Sequence, residues 1–406
     1  MKMEILQGGI STPKGFKAGG KAIGIRKVRK DLALIISDDL CTFSGVFTQN
    51  KIKAAPIIWS KKLLHSKIKG IVINSGNANA CTGEQGYEDA KTMAATLAMN
   101  CNMEPENILV ASTGVIGVPL PIEKIVNGIK SMKDTLESSA SADLDFAEAI
   151  MTTDTYSKSY CVATVVNGTR VIIGASAKGS GMIHPNMATT LCMITSDVNI
   201  DKALQDEILK DVVDDTFNMM SVDGDTSTND CMFLISNGEA GNVILDSKGA
   251  SYDKFKAALF AVCKHLAIEC IRDGEGATKL MEVSIKGARS KKDAKVMARS
   301  VTSSTLFKAA LFGSDANWGR ALCAIGYSGA EFDENKVDIS IRSIKGTLEL
   351  MTSSRPIIFD EEKAKEILLE KDIYIDINLN DGDYSATAWG CDLSYEYVKI
   401  NGDYRS

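Results

Sequence analysis

The sequence predicts a mixed α/β protein built in two halves, and three observations carry that expectation. Short apolar, β-prone runs alternate with helix-period segments along the whole chain. A length of 406 residues with 45% hydrophobic side chains is enough to bury a large core, in two or three domains. Near the middle, a glycine-rich turn beginning Lys178-Gly-Ser-Gly-Met182 lies between two apolar runs, Val171 to Ala177 and Thr189 to Thr195.

In chain order, Leu32 to Ser37 and Thr42 to Thr48 read as two strands, and Ile68 to Asn74 as a buried one. Before them, residues 15–22 come within one position of a phosphate-binding loop, but Ala22 stands where a hydroxyl should hold magnesium and no strand precedes Gly15, so a structural turn is expected. After Asn74, the stretch to Gly83 is dense in Asn, Ser and Gly. It is either a polar ligand-binding turn or a capped loop leading into a helix over Tyr87 to Ala98. A strand over Ile108 to Ala111 ends in Ser112-Thr113-Gly114, where a hydroxyl and a glycine amide could face one developing negative charge as an oxyanion hole.

Helices are expected over Glu123 to Met132 and Asp143 to Met151, the latter ending in the hydroxyl-rich Thr152 to Thr155. Tyr160 to Val166 and Val171 to Ala177 form a hairpin turned by Asn167-Gly168. The second half adds a helix over Leu204 to Phe217, a strand over Cys231 to Ser236 and a helix over Tyr252 to Cys270. Between the first two of these, Asp223 and Asp225 sit in a loop that lacks the glycine and glutamate of an EF-hand. A hydrogen-bonded turn is expected there, with no metal. The loops Asp273 to Lys279 and Gly313 to Arg320 are small and polar, fit to line a pocket for an amino-acid-sized ligand.

Net charge −6, with no long basic run, argues against nucleic acid and membrane surfaces as partners and favours small-molecule chemistry. Ten cysteines scattered singly, with no Cys-x-x-Cys pair, fit reduced and mostly buried thiols. The N-terminus carries no signal-like apolar segment and no run is long enough for a membrane helix, so a cytoplasmic location is expected.

Thr189 follows the small residue Ala188 and opens the second central strand. Its hydroxyl could attack the preceding carbonyl, an N→O acyl shift. Hydrolysis of the resulting ester would leave fragments 1–188 and 189–406. The new α-amine of Thr189, with a pKa of ~7.7–8.0, would then serve as base for its own hydroxyl. A plain strand–turn–strand explains the same residues. Of the three histidines, only His184 adjoins the nucleophile, and beside Pro185 in a tight turn it reads as structural rather than as a triad base.

The segment Lys178 to Thr189 resembles the self-cleavage segment of the ornithine acetyltransferase family, bifunctional glutamate N-acetyltransferases of arginine biosynthesis. Further matches run in order: Gly9 to Phe16, Asn74 to Gly83, Ser112 to Gly117, Met151 to Thr155, Ser221 to Asp230, Glu275 to Lys279, Asp315 to Arg320 and Ile400 to Ser406. The resemblance implies cleavage between Ala188 and Thr189 into an alpha chain (1–188) and a beta chain (189–406) that dimerise as a heterotetramer of two of each. It implies an α/β fold of N-terminal-nucleophile type, with β-sheets layered between helices. It further implies ping-pong transfer of acetyl from N-acetylornithine to glutamate through acetyl-Thr189, with Thr113 and Gly114 as oxyanion hole.

The family's substrate-binding residues fall on Thr152, Lys178, Thr189, Glu275, Asn401 and Ser406. No cofactor is implied, and acetyl-CoA is an optional donor. Two departures stand out: Ser406 replaces the usual threonine, and Thr190 stands where relatives often carry a larger apolar residue, which makes cleavage before Thr190 conceivable. Two other readings remain, an N-terminal-threonine amidase using water as acceptor and an uncleaved metabolite-binding protein.

Overall fold

A computed structural model describes residues 3–184 and 190–403. Its described residues fall into two compact units, one from Met1–Gly179, Asn186–Asp214 and Thr226–Leu266, the other from Ser180–Pro185, Asp215–Asp225 and Ala267–Ser406.

The first unit is organised by a nine-stranded sheet. Its strands run in the order Glu4–Leu6, Lys158–Val166, Thr169–Lys178, Leu191–Ser196, Cys231–Ser236, Leu32–Phe47, Ile68–Asn77 and Ile108–Val115, with Phe16–Lys21 pairing separately on Leu32–Phe47. Lys158–Val166 and Thr169–Lys178 are the expected hairpin. Asn167 (φ 47°) and Gly168 (φ 82°) both take the left-handed conformation, as a two-residue turn matched to strand twist requires. Leu191–Ser196 lies between Thr169–Lys178, antiparallel, and Cys231–Ser236, parallel. All six of its residues are buried, which explains why it reads as a continuous apolar run rather than an alternating one.

The two strands expected over Leu32 to Ser37 and Thr42 to Thr48 are one bent strand, Leu32–Phe47. Its register slips between Ile36 and Cys41, so the exposed Asp38-Asp39-Leu40 interval marks a bulge rather than a loop. Residues 16–21, in the near-match to a phosphate loop, form a strand.

The second unit holds a seven-stranded sheet, ordered Arg355–Pro356, Gly346–Thr352, Asp338–Ser343, Asp372–Asn378, Leu280–Ala288, Tyr384–Cys391 and Met220–Ser221. In Asp372–Asn378 the alternating Ile373, Ile375 and Ile377 are buried, the period-two signature of a strand with one covered face. Helix Lys291–Ser303, capped by Ser290, packs against Leu280–Ala288 and Tyr384–Cys391. Mixed strands and helices in both units make the α/β class the observed one. Among the described residues no disulfide joins any of the ten cysteines, and seven of them are buried. Among the described residues no helix is long and apolar enough to cross a membrane.

Candidate active site

Ile108–Val115 runs parallel to Ile68–Asn77, with Thr113 opposite Ser75 and Gly114 opposite Gly76. The candidate oxyanion pair is thus part of the strand end rather than of a loop beyond it. Gly114 has φ 135°, and a Cβ there would lie 2.3 Å from the backbone carbon of Gly76, so this crossing of two strand ends admits only glycine. Thr113 is buried, and among the described residues its hydroxyl carries no hydrogen bond.

The Asn74–Gly83 stretch is scaffold. Ser112 Oγ donates to Asn74 Oδ1 (2.6 Å), Asn74 Nδ2 to the Asn77 carbonyl (2.8 Å), and Asn77 Nδ2 to the carbonyls of Val118 and Pro119 (3.1 Å each). Asn79 Nδ2 donates to the Gly86 carbonyl at 2.8 Å, inside the helix Gly83–Cys101. With these amides spent on the chain itself, the stretch is a structural lead-in to the helix rather than a ligand-binding turn, though Thr82 at the helix start makes no capping side-chain bond.

Asn229, to which sequence reasoning gave no role, bridges this strand end to the centre of the sheet. Its Nδ2 donates to the carbonyls of Ala78 (2.6 Å) and Ser112 (2.8 Å). Two residues on, Cys231 N donates to the Thr190 carbonyl at 3.1 Å. Asn229 and Ser112 are 117 positions apart, and no local signal could have joined them.

Ala188 and Thr189, the expected cleavage pair, lie outside the described residues, as does Ser406. Next to them, Thr190 is buried, and Leu191 pairs with Lys178 across the ladder. Lys178 is itself buried, and among the described residues its ammonium makes no hydrogen bond. Beside it, Asp154 is fully buried. Its Oδ1 accepts from Lys158 Nζ and from Gly179 N (2.8 Å each), and its Oδ2 accepts from Thr152 N at 2.9 Å. Burial pushes this carboxyl up, but the charges of Lys178 and Lys158 outweigh it and hold the group well below the usual carboxylate range. Arg26 clamps the carbonyls of Met151 (2.7 Å) and Thr152 (2.8 Å), which fixes Thr152 from the other side. Thr152 and Lys178, both predicted, are therefore held together by Asp154, which was not. Its only sequence signal was a lysine four positions on.

The second unit contains Glu275 and Asn401. Glu275 N donates to the Ser180 carbonyl at 2.8 Å, and Asn401 Nδ2 donates to Glu275 Oε2 at 2.8 Å. A Cβ on Gly181 would fall 2.4 Å from this carboxylate, so glycine there lets Glu275 lie flat on the backbone. Ser394 caps the final helix, Tyr395–Gly402, and donates to the Gly276 carbonyl at 2.6 Å, which ties the C-terminal segment beside Glu275. Two predicted residues distant in sequence are thus brought into contact.

Asp223 accepts from Met182 N (2.7 Å), Ile183 N (2.9 Å) and Asp225 N (3.2 Å), the hydrogen-bonded turn expected of that loop. His184 Nε2 lies 2.9 Å from Arg299 Nη2, and Nδ1 lies 3.0 Å from Ser221 Oγ. Arginine can only donate, so Nε2 accepts and Nδ1 donates. Burial, then the Arg299 charge, push the imidazole down to about 4. With its acceptor nitrogen occupied, His184 has no lone pair to offer a nucleophile, in agreement with a structural role. The loop Asp315 to Gly319, with Phe359 and Glu361, lines a depression of about 320 Å³. Of the two polar loops proposed for a pocket, Asp273 to Lys279 does not contribute to it.

The buried Thr113 hydroxyl and the Gly114 amide at one strand end, joined through Asn229 to the strand pair beside Thr190, have the donor chemistry that acyl transfer uses. The profile of the ArgJ family matches residues 17–406. The chain is 50% identical over 405 residues, all of both chains, to the arginine biosynthesis bifunctional protein ArgJ of Caldanaerobacter subterraneus subsp. tengcongensis. It is 43% identical to the crystallised ArgJ of Bacillus halodurans, over 51% of this chain and 96% of that one (TM-score 0.48). It is 34% identical to the ornithine acetyltransferase of Mycobacterium tuberculosis crystallised with ornithine, over 46% of this chain and 100% of that one (TM-score 0.43). The chain belongs to the ArgJ family, acetyltransferase enzymes of arginine biosynthesis.

Proposed function

We propose that the chain cleaves itself before Thr189 and then carries acetyl from N-acetylornithine to glutamate on the Thr189 hydroxyl. As an ArgJ family member it is an ornithine acetyltransferase of arginine biosynthesis. The self-processing and the covalent intermediate are the finer reading.

In processing, Thr189 Oγ attacks the Ala188 carbonyl, the peptide C–N bond breaks, and water hydrolyses the ester to a carboxylate on Ala188 and a free amine on Thr189. In the first half-reaction that amine takes the hydroxyl proton as Oγ attacks the acetyl carbonyl. The proton then goes to the departing nitrogen of ornithine. In the second, the glutamate amine attacks acetyl-Thr189 and restores the hydroxyl. Thr113 and Gly114 would hold the oxyanion of the tetrahedral species in both half-reactions.

The observation that carries this reading is the Asn229 bridge, which fixes the Ser112–Thr113 strand end to the strand pair entered through Thr190. Thr190 is buried with its carbonyl in the ladder, which favours Thr189 over Thr190 as nucleophile. For the substrate, Thr152 and Lys178 suit a carboxylate, while Glu275, Asn401 and Ser406 suit an ammonium and neutral hydrogen bonds. The ornithine bound to the Mycobacterium tuberculosis relative supports a ligand of that chemistry. Relatives named bifunctional are in keeping with a second activity, for which acetyl-CoA is the donor proposed here. Leu191–Ser196 is locked between two strands from both sides of the cut, so the products would stay together, as the alpha and beta chains of a cytoplasmic heterotetramer.

Intact mass under denaturing conditions, with sequencing of any new N-terminus, tests the proposal. Two fragments, the second starting Thr189-Thr190-Leu191, are expected, and Thr189→Ala should leave one inactive chain. A single uncleaved chain in fresh active protein refutes it, and free acetate without acetylglutamate would make the protein an amidase.

A further inference from the structure

In the first unit, the end of strand Leu32–Phe47, helix Ala55–Lys62 with the residues just after it, and helix Lys202–Asp215 line a cavity of about 590 Å³. That size lies within the range of about 300–1,000 Å³ usual for small-molecule sites. Its floor is apolar, made by Val46, Phe47, Leu64 and Leu209. Its rim is cationic, with Lys53, Lys61, Lys202 and Lys210 around the single carboxylate of Asp206. Lys202, Asp206 and Lys210 follow one another at intervals of four, which sets all three on one helix face. Lys61 lies in the last turn of the other helix. A chain with 52 acidic and 46 basic side chains has thus gathered four cations around one acid.

That acid is already committed. Ser44 Oγ donates to Asp206 Oδ1, and Lys202 Nζ pairs with Oδ2 (2.5 Å each). Lys53 Nζ donates to the Asn50 carbonyl at 2.8 Å, a neutral acceptor. Among the described residues Lys61 and Lys210 make neither a hydrogen bond nor an ion pair. Three ammonium charges therefore line the cavity without a carboxylate partner. Lysine binds phosphate as a compact point charge. Three such charges beside an apolar floor suit a flat apolar ring that carries two or three phosphate charges, and they disfavour an amino acid, whose own ammonium they would repel. We propose that this cavity binds a nucleotide, with its base on the apolar floor and its phosphates at Lys53, Lys61 and Lys210.

Two sources carry that chemistry, a free nucleotide acting as an effector and the nucleotide end of acetyl-CoA. Phe47 pairs with Cys231, and Cys231 with Leu191, so the cavity wall stands two strand spacings, about 10 Å, from the strand that follows Thr189. The pantetheine arm of acetyl-CoA is long enough to cross that distance. The donor source rests on the reading of acetyl-CoA as a second donor, whereas the nucleotide site does not.

Calorimetric titration of the purified protein with ADP tests the site. Lys61→Gln combined with Lys210→Gln should raise the Kd about 10-fold or more and flatten its dependence on salt. Lys130→Gln combined with Lys292→Gln removes two exposed charges outside the cavity and should leave the Kd within about 2-fold. Acetyl transfer from N-acetylornithine within about 2-fold of the parent shows that each variant is folded. No ADP binding by the parent, or the same change in both double variants, overturns the site.

Steady-state kinetics then separates the sources. If KM for acetyl-CoA rises about 10-fold in the cavity variant, the donor's nucleotide end sits there, and if it is unchanged while ADP binding is lost, the occupant is a free nucleotide. A parent that makes no acetylglutamate from acetyl-CoA refutes the donor reading alone, since the ADP titration still decides the cavity.

Discussion

The side-chain amide of Asn229 donates to the carbonyl of Ser112 at 2.8 Å, the residue immediately before the candidate oxyanion hydroxyl of Thr113. The same amide reaches the Ala78 carbonyl, so one nitrogen pins both strands whose ends cross at Gly76 and Gly114. Asn229→Ala would leave two buried carbonyls without this donor, at about 1–3 kcal/mol for an unsatisfied buried group. A lowered Tm together with reduced kcat is expected. Asn229→Asp should be worse than Ala, because a carboxylate oxygen would then face two carbonyl oxygens.

Thr113→Val keeps the shape of the strand end and removes the one donor. A fall in kcat of about 10²–10³ is expected in both half-reactions, with substrate KM little changed. Gly114→Ala should be more damaging, since its methyl would meet the Gly76 backbone at 2.3 Å. Slowed self-processing as well as slowed turnover, followed by fragment mass over time, would distinguish a displaced strand from a lost donor.

Glu275→Gln retains an oxygen to accept from Asn401 but loses the charge. If Glu275 answers the ammonium of ornithine, KM for N-acetylornithine should rise about 10-fold or more while KM for glutamate, which has no side-chain ammonium, changes far less. Parallel steady-state measurements with each substrate varied would check this. An equal rise for both would remove Glu275 from ammonium recognition.

His184 makes stability depend on pH. Unfolded, the imidazole takes up a proton below its ordinary 6.5, whereas folded it resists until about 4. Between those values the unfolded state binds more protons, so stability is fully present above pH 6.5 and falls as pH drops toward 4. Thermal unfolding across this window should show the slope, and His184→Gln should flatten it.

Local patterning was enough for the class of fold and for most strands and helices between Leu32 and Cys270, whereas the strands and helices beyond Cys270 were not delimited by it. Period-two and continuous apolar runs, Asn167-Gly168 and the glycine at 114 are local signals, since each follows from what one stretch of backbone can adopt. The joining of Leu32 to Phe47 into one bent strand was not local, because a bulge and a loop share the same polar residues until a partner strand sets the register. Only the tertiary structure decided that Asp154 binds Thr152 to Gly179, that Asn229 holds Ser112, that Asn401 reaches Glu275, and that Arg299 occupies His184. Each is a polar group whose partner lies outside its own segment or beyond a turn. Such groups must be satisfied when water is excluded, but the chain carries no periodic mark of where the partner will come from.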